Sequence, residues 1–185
     1  MNQWIGKFLK KENPLHDTLA QVPLFRDLGR KDRQAVGEGL QHLQFAEGDV
    51  IFRQGQPGVG LYIVLSGEVE ILRDDQDGTR TRVSHVEAGG SFGELALLDE
   101  SELTASAIAT EPTEVGVFHR SDLLSIAERD PAMGVRVVMQ LSQMVADRLR
   151  RTNRALREAR EELGATEAAA AGKADLEGAE EEVGE

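Results

Sequence analysis

Between residues 50 and 118 the chain is cut into apolar runs of three to five residues, each closed off by a turn signal. The runs are Val50-Ile51-Phe52, Leu61-Tyr62-Ile63-Val64-Leu65, Val69-Glu70-Ile71-Leu72, Arg82-Val83-Ser84-His85-Val86 and Val115-Gly116-Val117-Phe118. Between them stand Gly48-Asp49, Gly55-Gln56-Pro57-Gly58, Ser66-Gly67, Asp77-Gly78 and Gly89-Gly90. Such runs are too short for helices and too regularly spaced for a parallel α/β sheet. They read as antiparallel strands of a barrel, sandwich or roll. Asp77-Gly78 marks a hairpin tip, where glycine accepts a positive φ. The expected architecture is mainly β with α: a jelly-roll-like β-barrel flanked by helices and followed by a long C-terminal helix.

Four segments follow. Residues 1–14 carry Trp4, Ile5, Phe8 and Leu9 at helical spacing among Lys7, Lys10 and Lys11; docking of this segment on the domain is preferred to a membrane-surface role, because so short a helix binds lipid weakly. Residues 15–130 form the roll, with a helical lead-in around Pro23-Leu24-Phe25. Ser121-Asp122 is the expected cap of a short helix ending at Arg129, and Asp130 caps a second with Pro131 at its first position. This second helix is expected over residues 131–163. Val145, Leu149, Thr152, Leu156, Ala159 and Leu163 alternate spacings of four and three along it, a heptad seam suited to a two-chain coiled coil. Apolar residues surround its first part, near Met133 to Leu141, which is expected to pack on the roll. The last segment, residues 164–185, holds seven acidic residues and one lysine and lacks aromatics. It is expected to be disordered, and to fold back on the preceding arginines.

Cysteine is absent, which excludes thiolate metal sites, disulfides and thiol nucleophiles and fits a cytoplasmic protein. No apolar run reaches the roughly 20 residues of a membrane span, and no secretory leader is visible. The net charge of −12 opposes broad non-specific nucleic-acid binding. The histidines, His16, His42, His85 and His119, have no partner at metal-ligand spacing in sequence, so no metal is expected. No nucleophile elbow, P-loop or dinucleotide fingerprint occurs, and the chain is not expected to be an enzyme.

One stretch carries chemistry. Gly89-Gly90-Ser91-Phe92-Gly93-Glu94-Leu95-Ala96-Leu97-Leu98 leads into Leu103-Thr104-Ala105-Ser106-Ala107. A glycine-rich approach to a very short helix can cradle an anion on backbone amides. Glu94 does not suit a phosphate but accepts a hydrogen bond from a sugar hydroxyl. With Pro23-Leu24-Phe25, Gly48-Asp49, Gln54-Gly55 and Leu61-Tyr62-Ile63-Val64-Leu65-Ser66-Gly67-Glu68-Val69 preceding it in order, this stretch resembles the cyclic nucleotide-binding domain family, in its catabolite activator protein-like sensor form. The resemblance implies a ligand of the cAMP or cGMP type. Glu94 would bind the ribose hydroxyl, and the amides of Gly93, Leu95 and Ala96 would line the phosphate. Thr104 would add a small hydroxyl, with Ala105 beside it. It also exposes a departure: Leu103 stands where the family has its phosphate-pairing arginine. No cation lies between residues 89 and 107, which leaves Arg80, Arg82 or an arginine of the long helix as substitutes.

The resemblance implies a winged helix-turn-helix after the dimer helix in the transcription factors of the family. Residues 164–185 are too short and acidic for one, so sequence-specific DNA binding is not expected. Three functions stay open. The first is a stand-alone sensor that relays ligand state through a homodimer helix to a protein partner. The second is a degenerate, ligand-free dimeric scaffold. The third is nucleic-acid binding through Arg148, Arg150, Arg151, Arg154, Arg157 and Arg160. An open polar pocket beside Glu94 with a cation from another segment would favour the first. Leu103 packed among apolar side chains would favour the second.

Overall fold

The computed structural model describes residues 15–75, 77–99 and 101–181. The amphipathic segment expected over residues 1–14 lies outside them. Two helices lead in, α1 (Leu15–Gln21) and α2 (Arg30–Gly39), joined through a single 3-10 turn at Pro23–Phe25. Eight strands follow: β1 (Gln41–Phe45), β2 (Val50–Phe52), β3 (Gly60–Ser66), β4 (Glu68–Asp74), β5 (Arg80–Glu87), β6 (Ser91–Phe92), β7 (Ser106–Ala109) and β8 (Thr113–His119). A second 3-10 turn, Glu94–Leu97, lies between β6 and β7, and α3 (Arg120–Arg129) and α4 (Pro131–Glu181) complete the chain.

The strands form two four-stranded sheets, in the orders β1-β8-β3-β6 and β2-β7-β4-β5, and every pairing is antiparallel. This is the jelly-roll arrangement, as two sheets rather than one closed barrel. The apolar runs marked β2, β3, β4, β5 and β8. They did not mark β1, whose Gln41-His42-Leu43-Gln44-Phe45 is half polar, or the short β6 and β7. These gain their places by pairing with marked strands: β1 and β8 in register from Gln41 opposite Val117 to Phe45 opposite Thr113, and β7 between β2 and β4.

β3 is the central strand and is buried on both faces. Tyr62 and Val64 join Phe52, Val69, Phe92, Ala107, Val115 and Val117 in one buried cluster. Leu61 and Ile63, which alternation directs to the other face, are also fully buried. On β8, Phe118 meets Phe25 of the lead-in edge-to-face, with ring centroids 5.2 Å apart. β5 lies at the edge of its sheet, and nearly all its residues are exposed.

α3 begins two residues earlier than a cap at Ser121 implied. His119 is the cap residue, and its backbone N–H donates to the Asp122 carboxylate at 2.8 Å. Asp130 behaves as expected: its carboxylate accepts the Met133 N–H at 2.9 Å, at the start of α4. The chain divides at residue 142 into two units. In the first, Met133, Val137, Gln140 and Leu141 of α4 are buried, as expected for a helix packed on the roll. Arg136 pairs with Asp32 of α2 at 3.2 Å and Gln140 donates to Asp27 in the link before α2, and these contacts hold the first part of α4. Val135, Val138 and Met139, on its other side, are exposed.

The second unit is the remainder of α4. It does not stop at Leu163 but continues to Glu181. Alanine and glutamate dominate residues 164–181, and both are strong helix formers; residues 182–185 of the expected tail lie outside the described residues. Among the described residues no helix is long and apolar enough to cross a membrane.

Candidate functional site

The site is built where β6 ends. Ser91 and Phe92 pair with Ile63 and Tyr62 of β3, and the chain then turns through Gly93 in the left-handed region, φ +80°. A Cβ at this position would stand 3.1 Å from the Gly60 carbonyl and 3.2 Å from the Tyr62 ring. Backbone conformation and space therefore both demand glycine. Gly93→Ala should lower stability by about 1–3 kcal/mol, the usual cost of one strained backbone position. A fall in the unfolding midpoint of the full chain measures it, and an unchanged midpoint would mean that the turn relaxes without strain.

Beneath the turn, Tyr62 and Phe92 are stacked with centroids 5.5 Å apart, and Phe52 tilts against both at 4.9 and 5.7 Å. Burial pushes the Tyr62 phenol above its ordinary pKa, so it stays neutral in this apolar floor. Gly93 delivers Glu94, Leu95 and Ala96 into the 3-10 turn. Glu94 is 9% exposed and Ala96 4%, while Leu95 is half-buried. Ala96 is not available as a phosphate donor in this state, because its N–H donates to the Gly93 carbonyl at 3.1 Å. In an i→i+3 turn the third amide already bonds back to the residue before the turn, a cost that glycine spacing alone does not reveal.

The segment after the turn is anchored by its backbone. The Asp99 carboxylate accepts bonds from the Ser101 hydroxyl at 2.5 Å and amide at 3.1 Å. These bonds hold the Asp99 carboxyl below its usual range, and the charge of Arg120 adds to the effect. Residues 101–103 then run against 55–58. The Leu103 N–H donates to Gln56 O at 2.8 Å, and Leu103 O accepts from the Gly55 N–H at 2.8 Å. The Leu103 side chain is half-buried and packs against the apolar cluster that contains Phe52, Tyr62 and Phe92. Thr104 is exposed and Ala105 half-buried. Gly93, Glu94, Leu95 and Ala96 thus form one continuous element. Leu103 packs against the cluster that holds Phe92, the residue before Gly93, and Thr104 is exposed.

Two of the substitute cations named from sequence, Arg80 and Arg82, are engaged elsewhere. Arg80 pairs with Asp74 at 2.6 Å and Arg82 with Glu70 at 3.3 Å, both on the exposed β4–β5 face. Sequence reasoning missed Arg120. It is the first residue of α3, and α3 packs against the 3-10 turn of the site. Its charge acts on Asp99. The only sequence signal was an arginine at the start of a helix, 26 residues beyond Glu94 and without a motif of its own. The histidines also acquire partners that sequence spacing did not give. His42 meets Glu114 at 2.8 Å, His119 meets Gln41 at 2.9 Å, and His85 meets Glu68 at 3.3 Å.

A family model described as the cyclic nucleotide-binding domain matches residues 42–130. The chain is 36% identical over 128 residues to the cyclic AMP receptor protein of Thermus thermophilus, a match covering 69% of this chain and 57% of that protein. The crystal structure of the Thermus thermophilus catabolite activator protein matches with TM-score 0.67 and 35% identity, covering 72% of this chain and 61% of that one. The N-terminal domain of a transcriptional regulator from Streptomyces coelicolor matches with TM-score 0.66 and 29% identity, covering 74% of this chain and 95% of that domain. The chain therefore spans under two thirds of the length of the Thermus relative. The ordered marks from Gly48 to Leu97, the two-sheet roll and the Gly93–Glu94 turn all fall inside the matched segment, and residues 42–130 belong to the cyclic nucleotide-binding domain family.

Proposed function

We propose that this chain is a non-catalytic regulatory sensor whose roll takes up a cyclic nucleotide, cAMP or cGMP, and whose long helix passes the ligand state to a protein partner. The observation that carries the reading is Glu94: its carboxylate is held only 9% exposed, directly after a glycine that the backbone requires, at the place the family resemblance gives to the ribose contact. In this reading Glu94 accepts from the ribose 2′-hydroxyl, and the turn amides of Gly93 and Leu95 face the phosphate. The printed name of the Thermus relative supports cyclic AMP as the ligand class.

Leu103 makes the affinity weak. The phosphate meets amides in place of a guanidinium, and a micromolar site drifts toward the millimolar range. The packing of Leu103 against the apolar cluster also favours the second reading, a ligand-free dimeric scaffold, and the same experiment separates the two.

The relay follows the contacts of the first unit. The 3-10 turn touches α3, α3 leads through Asp130 into α4, and α4 is held to the lead-in by Arg136–Asp32 and Gln140–Asp27. A ligand that fits one setting of these contacts better than another shifts the population between them. Output requires a second chain. In the second unit Leu149, Leu156 and Leu163 are 59%, 50% and 60% exposed. Spacings of three and four continue the seam back through Val145 and Ser142 to the exposed Val138 and Val135. This supports a homodimer coiled coil along α4.

The test compares a cyclic nucleotide with its 2′-deoxy analogue. A hydrogen bond to a charged group is worth about 1.5–3 kcal/mol. The unmodified chain should therefore bind the deoxy compound roughly 10- to 100-fold more weakly. Glu94→Gln, whose neutral amide oxygen accepts a weaker bond, should discriminate less, and Glu94→Ala should bind both about equally. Equal binding by the unmodified chain would remove Glu94 from the ribose contact, and binding of neither at millimolar concentration would favour the scaffold.

A further inference from the structure

The outer face of the second sheet carries a cluster apart from the nucleotide site. Glu68 of β4 and Glu87 of β5 are register partners. His85 precedes Glu87 by two residues, so the strand period returns both side chains to one face. His85 Nε2 lies 3.3 Å from a Glu68 carboxylate oxygen and 4.0 Å from one of Glu87. One atom from each residue falls within 4.8 Å of the others. Two like charges directly opposite each other on paired strands are destabilising. The nearby arginine on this strand, Arg82, is paired with Glu70 instead. Two facing carboxylates with an imidazole between them are arranged to be bridged by a cation.

We propose that Glu68, His85 and Glu87 form a surface site for a borderline transition-metal dication, Zn(II) being the best fit. One imidazole nitrogen and two carboxylate oxygens are a zinc donor set, with a fourth position left for water. Bonds of the usual zinc lengths set tetrahedral ligand atoms about 3.3–3.5 Å apart, which matches the separation of His85 from Glu68. Glu87, whose side chain is 76% exposed, closes its 4.0 Å gap by rotating alone. Calcium and magnesium prefer larger all-oxygen sets, and the imidazole discriminates against both. The bound ion would clamp the edge strand β5 to β4. This proposal is independent of the cyclic nucleotide reading.

The test is calorimetric titration and thermal unfolding of the full chain with Zn(II) alone, in a non-chelating buffer. Zn(II) should bind at one site per chain and raise the unfolding midpoint, and Mg(II) at the same concentration should not. Even residues behind a ligand cost roughly 10–100-fold in metal affinity when removed, so His85→Ala and Glu87→Gln should each weaken binding by at least about ten-fold. Glu87→Gln should in addition raise the metal-free midpoint, because it removes the facing like charge, which shows that the variant is folded. His42→Ala, at the other histidine–glutamate pair, should bind as the unmodified chain does. Absence of Zn(II) binding, an equal response to Mg(II), or retained affinity in both site variants would overturn the proposal. In the first case the histidine alone supplies the counter-charge.

Discussion

Leu103→Arg should turn a weak cyclic nucleotide site into a strong one. In the proposed reading Leu103 takes the place of a guanidinium that would pair with the phosphate, and its backbone is fixed by two hydrogen bonds to residues 55 and 56. The substitution changes the side chain without moving its origin. Breaking one partner of a buried, hydrogen-bonded charge pair costs roughly 2–5 kcal/mol. Restoring it should tighten binding by roughly 30-fold to a few thousand-fold, at 1.4 kcal/mol per decade. The gain carries a cost in the free protein. The leucine packs against the cluster of Phe52, Tyr62 and Phe92, and an arginine there must desolvate or displace its neighbours. The unliganded variant should therefore unfold at a lower temperature than the unmodified chain, and the liganded variant at a higher one. A lower midpoint with no gain in ligand response would mean that the side chain at this position does not face the phosphate.

The pair Leu149→Asp and Leu156→Asp, made together, should convert a dimer to a monomer. Each leucine buried on association contributes about 1.5–3 kcal/mol, and a dimer loses four of them. The dissociation constant should rise by about four orders of magnitude or more, converted at 1.4 kcal/mol per decade. Both positions are exposed in the single chain, so the unfolding midpoint of the roll at matched oligomeric state should hardly change. Sedimentation at micromolar concentration reads the result. An unmodified chain that is already monomeric, or a double variant with the mass of the unmodified chain, would contradict the seam.

The strand-rich roll was legible because glycine turns and short apolar runs act locally. Val50-Ile51-Phe52 and Leu61-Tyr62-Ile63-Val64-Leu65 carry their own signal. β1 was hidden, because Gln41, His42 and Gln44 are polar and the strand exists through its pairing with β8. The Gly93–Glu94 turn was legible for the same local reason: few residues other than glycine tolerate its backbone. Arg120 was not, since it reaches the site through the packing of α3, a tertiary event. His85, Glu68 and Glu87 meet only through the β4–β5 register, which places residues 17 apart in sequence side by side. In residues 164–181 two local signals part: low hydrophobicity removes the drive to pack, but alanine and glutamate still favour helix.

The roll, as it stands with Leu103, is proposed to take up a cyclic nucleotide. Thermal unfolding of the unmodified full chain, without ligand and with cAMP or cGMP up to about ten millimolar, tests it most directly. At ten times a millimolar dissociation constant, ligand stabilises the folded state by about 1.4 kcal/mol. For a chain of this size that is a rise of roughly 3–6 °C. A rise of this order at the highest concentration, growing with the logarithm of ligand concentration, is expected for one of the two nucleotides and should be much smaller with Glu94→Gln. An unchanged midpoint with both nucleotides at the highest concentration would contradict it and leave the chain as a dimeric scaffold.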